Sequence, residues 1–158
     1  MIAALQQQYA LVQSSRKVVL SFIDAQLGHD LNTPMPAFNN QPLRYFLVHN
    51  ADCYFHWLAY FALKQPAKLI SNEDFTNVAL IRQLYTRADD IVARFLESFK
   101  DKMEVPVEGH HNRAGLVSIT PLQLFTHVTT HEFHHKGQIM TMCRMLGHVP
   151  PDTDVIRF

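Results

Sequence analysis

The sequence predicts an all-α fold, a four-helix bundle that forms a single domain over residues 1–158. Four long segments repeat their apolar residues at the three- and four-residue spacing of an amphipathic helix. Apolar residues make up 47% of the chain and charged residues 18%, which suits a globular protein with an ample core. Residues typical of helix caps and helix breaks separate the segments, so each helix can be bounded in turn.

The first two predicted helices are separated by a segment that breaks regular structure. The first helix is predicted over residues 2–27, with Gly28 as its C-cap. The linker, residues 29–42, contains three prolines and three asparagines. The second helix is predicted over residues 43–64 and ends before Pro66, which cannot continue a helix.

The third and fourth helices begin at recognisable cap residues. Ser71 is followed by two acids in the expected first turn, and the apolar spacing extends to residue 99. Residues 101–119 are expected to be irregular, with a short hairpin between VPV and LVSI as an alternative. The fourth helix is predicted to begin at Thr120 with a capping box to Gln123, and to end at residue 146 before Gly147.

Composition excludes several classes of function. Lys and Arg together number 14, as do Asp and Glu, so no basic surface for nucleic acid is expected. The N-terminus does not resemble a secretion signal, and no apolar run approaches the ~18 residues of a membrane span. The two cysteines are expected to be free thiols, as in a reducing cytoplasm. The protein is therefore expected to be cytoplasmic.

Histidines cluster in the fourth helix, where four of the ten occur within nine residues. The pairs His127/His131 and His131/His135 both have the four-residue spacing that lets two imidazoles reach one ion. A helical wheel places His131 and His135 near the centre of the apolar stripe, and His127 and His134 toward its edge. An inward pair of imidazoles is costly unless it has partners, which favours a metal site.

The second helix offers three side chains that could complete such a site. His49, Cys53 and His56 lie on the side of its predicted core face, and spacing does not choose among them. The remaining histidines are expected to be solvated or to bind helix-end groups: His29, His110, His111 and His148.

Residues 131–135 also match the H-E-x-x-H motif of zinc peptidases. The extended motif fails, because its glycine falls on Gln138 and its third histidine on Thr141. No glutamate follows Glu132 to act as a later ligand, so a peptidase is disfavoured. Glu132 lies about 100° around the helix from His131 and is interpreted as a surface or outer-sphere carboxylate.

Several stretches together resemble the DinB/YfiT-like family. They are HEFHHKGQI at residues 131–139, RMLG at 144–147, PPD at 150–152, and FLVH at 46–49 with Trp57 further along the same helix. The resemblance implies a four-helix bundle that binds one divalent metal through His49, His131 and His135. Zinc or nickel is expected, with iron or cobalt as alternatives.

The resemblance implies a thiol-dependent transferase, since characterised relatives use small thiols such as bacillithiol, mycothiol or glutathione. The expected substrates are a small-molecule thiol and an electrophile. Two alternatives are a metal-dependent hydrolase and a non-catalytic, metal-stabilised interaction protein. A second apolar stripe lies opposite the histidine face, at Leu122, Phe133 and Met140. Such a stripe buries against the first or third helix or against another subunit, and a homodimer is predicted.

Overall fold

A computed structural model describes residues 1–111 and 114–157 of the chain. The described residues form four α-helices and two strands: α1 (Ile2–Gln26), α2 (Leu43–Tyr54), α3 (Val78–Ser98), β1 (Val107–His111), β2 (Gly115–Ile119) and α4 (Pro121–Met145). The protein is therefore mostly helical with a small antiparallel sheet, which the all-α fold class left out and the hairpin alternative for residues 101–119 included. No helix among the described residues is long and apolar enough to cross a membrane.

The hairpin occupies most of the stretch that was expected to be irregular. Val107 pairs with Ile119, and the register continues to His111 opposite Gly115. The prediction also covered residues 112 and 113, which lie outside the described residues. Gly109 lets β1 pack closely against Phe61 of the second predicted helix. A Cβ at position 109 would lie 2.5 Å from a ring carbon of Phe61.

The second predicted helix is continuous but changes its hydrogen bonding. Beyond α2 the chain continues as a π-helix over Phe55–Ala62. At its end the N–H of Leu63 donates to the carbonyl of Leu58, five residues back. Such wide turns are frequent near functional sites, and this one carries His56 and Trp57.

Two predicted helix ends differ from the structure. The cap of α1 is Leu27, and Gly28 does not have a positive φ, so the predicted glycine cap is wrong. Ser71 caps a short 3₁₀ turn, Asn72–Asp74, rather than α3 itself. The cap of α3 is Asn77, whose side chain accepts a hydrogen bond from the N–H of Leu80. A second cap residue close by was enough to shift the start of the helix.

Both predicted ends of α4 are confirmed. Thr120 Oγ1 accepts from the N–H of Gln123, and the Gln123 side chain accepts from the N–H of Thr120, which completes a capping box. At the other end Gly147 has a φ of 88°. The N–H of Gly147 donates to the carbonyl of Arg144, and that of His148 to the carbonyl of Cys143. This pair of bonds is a Schellman motif.

Thr120→Ala is expected to lower the free energy of unfolding by about 1 kcal/mol, because the first turn of α4 loses its side-chain acceptor. Urea unfolding would measure the change. Thr141→Ala is the matched control, since Thr141 is exposed within the same helix. Its effect should stay within about 0.5 kcal/mol. Equal losses in both variants would contradict the role given to the cap.

The core lies where α2 meets α4 and α3. Helix α2 packs against both, and α1 packs against α3 and α4. The largest side chains buried there include Tyr54, Phe95 and Phe125. Because α2 is central, its histidine-bearing face is held against α4.

Candidate metal centre

Helices α2 and α4 bring three histidines together. The ligand atoms of His49, His131 and His135 all lie within 4.8 Å of one another. His131 and His135 are one helical turn apart on α4, and their ring centroids are 4.4 Å apart. The His49 ring lies 5.1 Å from that of His131 and 4.9 Å from that of His135. These are the three residues that the family resemblance implied.

The surroundings of two of the three imidazoles, those of His131 and His135, favour the neutral form. Burial, with the neighbouring imidazoles, lowers the pKa of His131 to about 4. Burial also lowers the pKa of His135. The Nε2 atom of His131 is buried and has no hydrogen-bond partner among the described residues. A neutral imidazole with an unpaired buried nitrogen is costly by itself, and it is also the form that binds a metal. The site therefore fits a divalent ion.

A hydrogen bond orients the third histidine. The Nδ1 atom of His135 lies 2.6 Å from the side-chain oxygen of Gln138. Because that oxygen only accepts, Nδ1 carries the proton and Nε2 is left as the ligand atom. The His49 ring stacks on Tyr45, with centroids 5.9 Å apart and planes 3° apart. Each contact restricts the direction in which an imidazole points.

Of the two rivals to His49 in the second helix, the structure sets apart His56 but not Cys53. His56 is exposed, with its ring at 4.8 Å from that of Trp57, and it belongs to neither cluster of metal-ligating groups in the described part of the chain. Cys53 lies in a second cluster, with His127 and His131.

Glu132 is not the surface or outer-sphere carboxylate that was expected. It is only 5% exposed, and both of its oxygens are occupied. Arg16 donates from Nε to Oε1 at 2.7 Å and from Nη2 to Oε2 at 2.9 Å. The hydroxyl of Tyr54 donates to Oε2 at 2.6 Å. Glu132 follows His131 in the sequence, but its side chain points toward Arg16 of α1. It is therefore not available to activate water.

The same arginine joins α1 to α3. Arg16 Nη1 lies 2.6 Å from Asp89 Oδ1, and the Tyr9 hydroxyl donates to that oxygen at 2.6 Å. Arg16 is 6% exposed, so a guanidinium and two carboxylates form a largely buried network. Sequence reasoning missed it. The signal was present, since Arg16 interrupts the apolar stripe of α1 at the spacing of Tyr9, Val12 and Val19.

The outlying histidines also differ from expectation. His111 was expected in a solvated loop, but it lies in β1 and stacks on Trp57, with ring planes 4° apart and centroids at 5.6 Å. His110 is exposed, as expected, but it belongs to the same strand. His29 and His148 were expected to bind helix-end groups. Their Nε2 atoms instead lie 3.0 and 3.7 Å from the same carboxylate oxygen of Asp30.

A cavity of about 320 Å³ lies beside the cluster, between the π-helix, β2 and α4. His127 lines this cavity, and its ring centroid is 5.5 Å from that of His131 in the cluster. Among the described residues no Asp, Glu, Lys or Arg lines it: the lining residues are Trp57, Ser118, Ile119, Gln123, Leu124 and His127. Such walls favour an uncharged molecule.

Fold and site together define a mostly helical protein with a histidine cluster suited to a divalent metal. The sequence model of the DinB family matches residues 1–158, so the chain belongs to the DinB family, as the motifs predicted. It is also similar to Protein DinB of Bacillus subtilis (strain 168), with 25% identity over 93 residues. That alignment covers 59% of this chain and 54% of the relative, so the chain spans about half the length of the curated protein it matches.

Proposed function

We propose that this protein is a metal-dependent transferase that joins a low-molecular-weight thiol to an electrophile, with His49, His131 and His135 as the metal ligands. The observation that supports this most directly is the set of three imidazoles within 4.8 Å, one with an unpaired buried nitrogen. The proposal takes the chain as a single-domain four-helix bundle that works in the cytoplasm.

The chemistry follows from the donor set. Three nitrogen ligands suit zinc or nickel, with iron or cobalt as alternatives, and leave a position for a further ligand. A metal bound there would supply a Lewis acid that lowers the pKa of a coordinated thiol. Gln138 would keep the Nδ1 proton of His135 in place. The electrophile would bind in the 320 Å³ cavity, whose apolar side is lined by Trp57 and Leu124.

A metal-dependent hydrolase would need a base, and Glu132, the glutamate of the H-E-x-x-H motif, is not free to serve as one. Both oxygens of Glu132 accept hydrogen bonds from Arg16 and Tyr54, so a proton taken from water would disrupt that buried network. The homodimer stays a prediction. Within the stripe that suggested it, Met140 is 5% exposed, and Phe133 and Leu122 pack against the core.

Turnover with a thiol tests the function. Protein prepared without an affinity tag should consume monobromobimane faster than the uncatalysed reaction only when a small thiol and zinc or nickel are both present. Bacillithiol, mycothiol and glutathione would be compared. His135→Ala should abolish turnover and lower the metal content, because it removes a ligand.

His134→Ala is the matched control, since His134 is exposed, adjacent in sequence and outside the cluster. It should keep both the metal and the turnover. If His135→Ala loses metal and thermal stability while the wild-type protein shows no turnover with any of the three thiols, the non-catalytic alternative is correct.

A further inference from the structure

The histidine cluster is repeated, with one change, a single helical turn away. Cys53, His127 and His131 each offer a ligand atom, and these atoms also lie within 4.8 Å of one another. On α2 the step from His49 to Cys53 is four residues forward, and on α4 the step from His135 to His131, and from His131 to His127, is four residues back. Because α2 and α4 run antiparallel, one turn forward along α2 lies opposite one turn back along α4. The same arrangement of facing side chains can therefore occur twice.

We propose that Cys53, His127 and His131 form a second cation site, which takes thiophilic divalent cations such as Cd²⁺ through one sulfur and two nitrogens. His131 belongs to both sites, so the two sites lie next to each other between α2 and α4. Replacing one imidazole by a thiolate makes the donor set softer and changes which metals it selects. The cation replaces the thiol proton of Cys53, which passes to the solvent.

The surroundings of the second site allow a cation to enter. Cys53 is 7% exposed, so its sulfur is shielded, but His127 is exposed and borders the 320 Å³ cavity. The buried Nε2 of His131, which also supports the three-histidine site, has no hydrogen-bond partner among the described residues and so can accept a ligand in either site. Cys143, the other cysteine, is fully buried and belongs to neither cluster among the described residues. The two thiols therefore form a natural comparison.

Cadmium binding to the metal-free, full-length protein tests the proposal, because a sulfur-to-cadmium charge-transfer band in the ultraviolet appears only when a thiolate binds the ion. The band should appear in the wild-type protein and in Cys143→Ala, and be lost in Cys53→Ala. It should persist in His135→Ala, which damages the three-histidine site but leaves the sulfur site complete.

A pair of exposed histidines gives a second test that does not disturb the core. His127→Ala should weaken cadmium binding in a titration followed at the band, whereas His134→Ala should not. Circular dichroism would check that each variant is folded.

The proposal is overturned if cadmium binds by equilibrium dialysis without the band, if Cys53→Ala keeps the band, or if His127→Ala binds cadmium as tightly as the wild-type protein. It does not depend on the reaction: turnover that fails in every assay while the band follows Cys53 would reject the transferase alone.

Discussion

Arg16→Met is expected to lower the free energy of unfolding by about 3–5 kcal/mol, because it leaves buried carboxylate charge without its partner. Arg16 lies between Glu132 and Asp89, with nitrogen–oxygen distances of 2.7 and 2.6 Å. Without the guanidinium, the buried Glu132 carboxylate would keep the Tyr54 hydroxyl as its remaining side-chain donor. A loss of this size is a large part of the stability of a typical domain.

Two comparisons isolate the buried charge as the cause. Arg82→Met removes an arginine that is 37% exposed and lies 3.7 Å from Asp24, and it should cost less than about 1 kcal/mol. The double variant Arg16→Met/Glu132→Gln should be more stable than Arg16→Met alone, because it also removes the unpaired carboxylate. Urea unfolding would measure all of these variants. A double variant less stable than the single one would reject this explanation.

Local signals in the sequence predicted the parts of the fold that depend on neighbouring residues. Both ends of α4 could be predicted because capping is decided within a few residues of the helix end. Thr120 and Gln123 predicted its start, and Gly147 predicted its end. The π-helix at Phe55–Ala62 and the hairpin were harder to predict. Both depend on how the chain packs, as the contact between Gly109 and Phe61 illustrates.

The residues of the candidate site also differ in how far they could be predicted from the sequence. His131 and His135 could be paired from sequence because both belong to one helix, whose geometry is regular. The choice of His49 over His56 could not, since it depends on how α2 lies against α4. There the family resemblance named His49, which the structure places beside His131 and His135. The position of Glu132 was missed for a similar reason: its partner Arg16 is 116 residues away in the chain.

His131→Leu is expected to abolish metal binding while making the metal-free protein more stable by about 1–3 kcal/mol, the usual cost of an unsatisfied buried polar group. His131 takes part in both clusters, so its loss damages both sites at once. Its buried Nε2 has no partner in the described residues, and burial disfavours its charged form. Leucine fills similar space without a polar atom, so the cost of burying the unpaired nitrogen is removed.

Metal analysis and thermal unfolding, each with and without zinc, would measure both effects of this substitution. In the wild-type protein, zinc at a hundred times its dissociation constant should add about 2.7 kcal/mol of stability, and in His131→Leu it should add nothing. His134→Leu is the control, since it changes an exposed histidine on the same helix and should keep the zinc-dependent stabilisation. Wild-type metal content in His131→Leu would contradict both proposed sites. A metal-free variant less stable than the wild-type protein would show that His131 has a structural partner of its own.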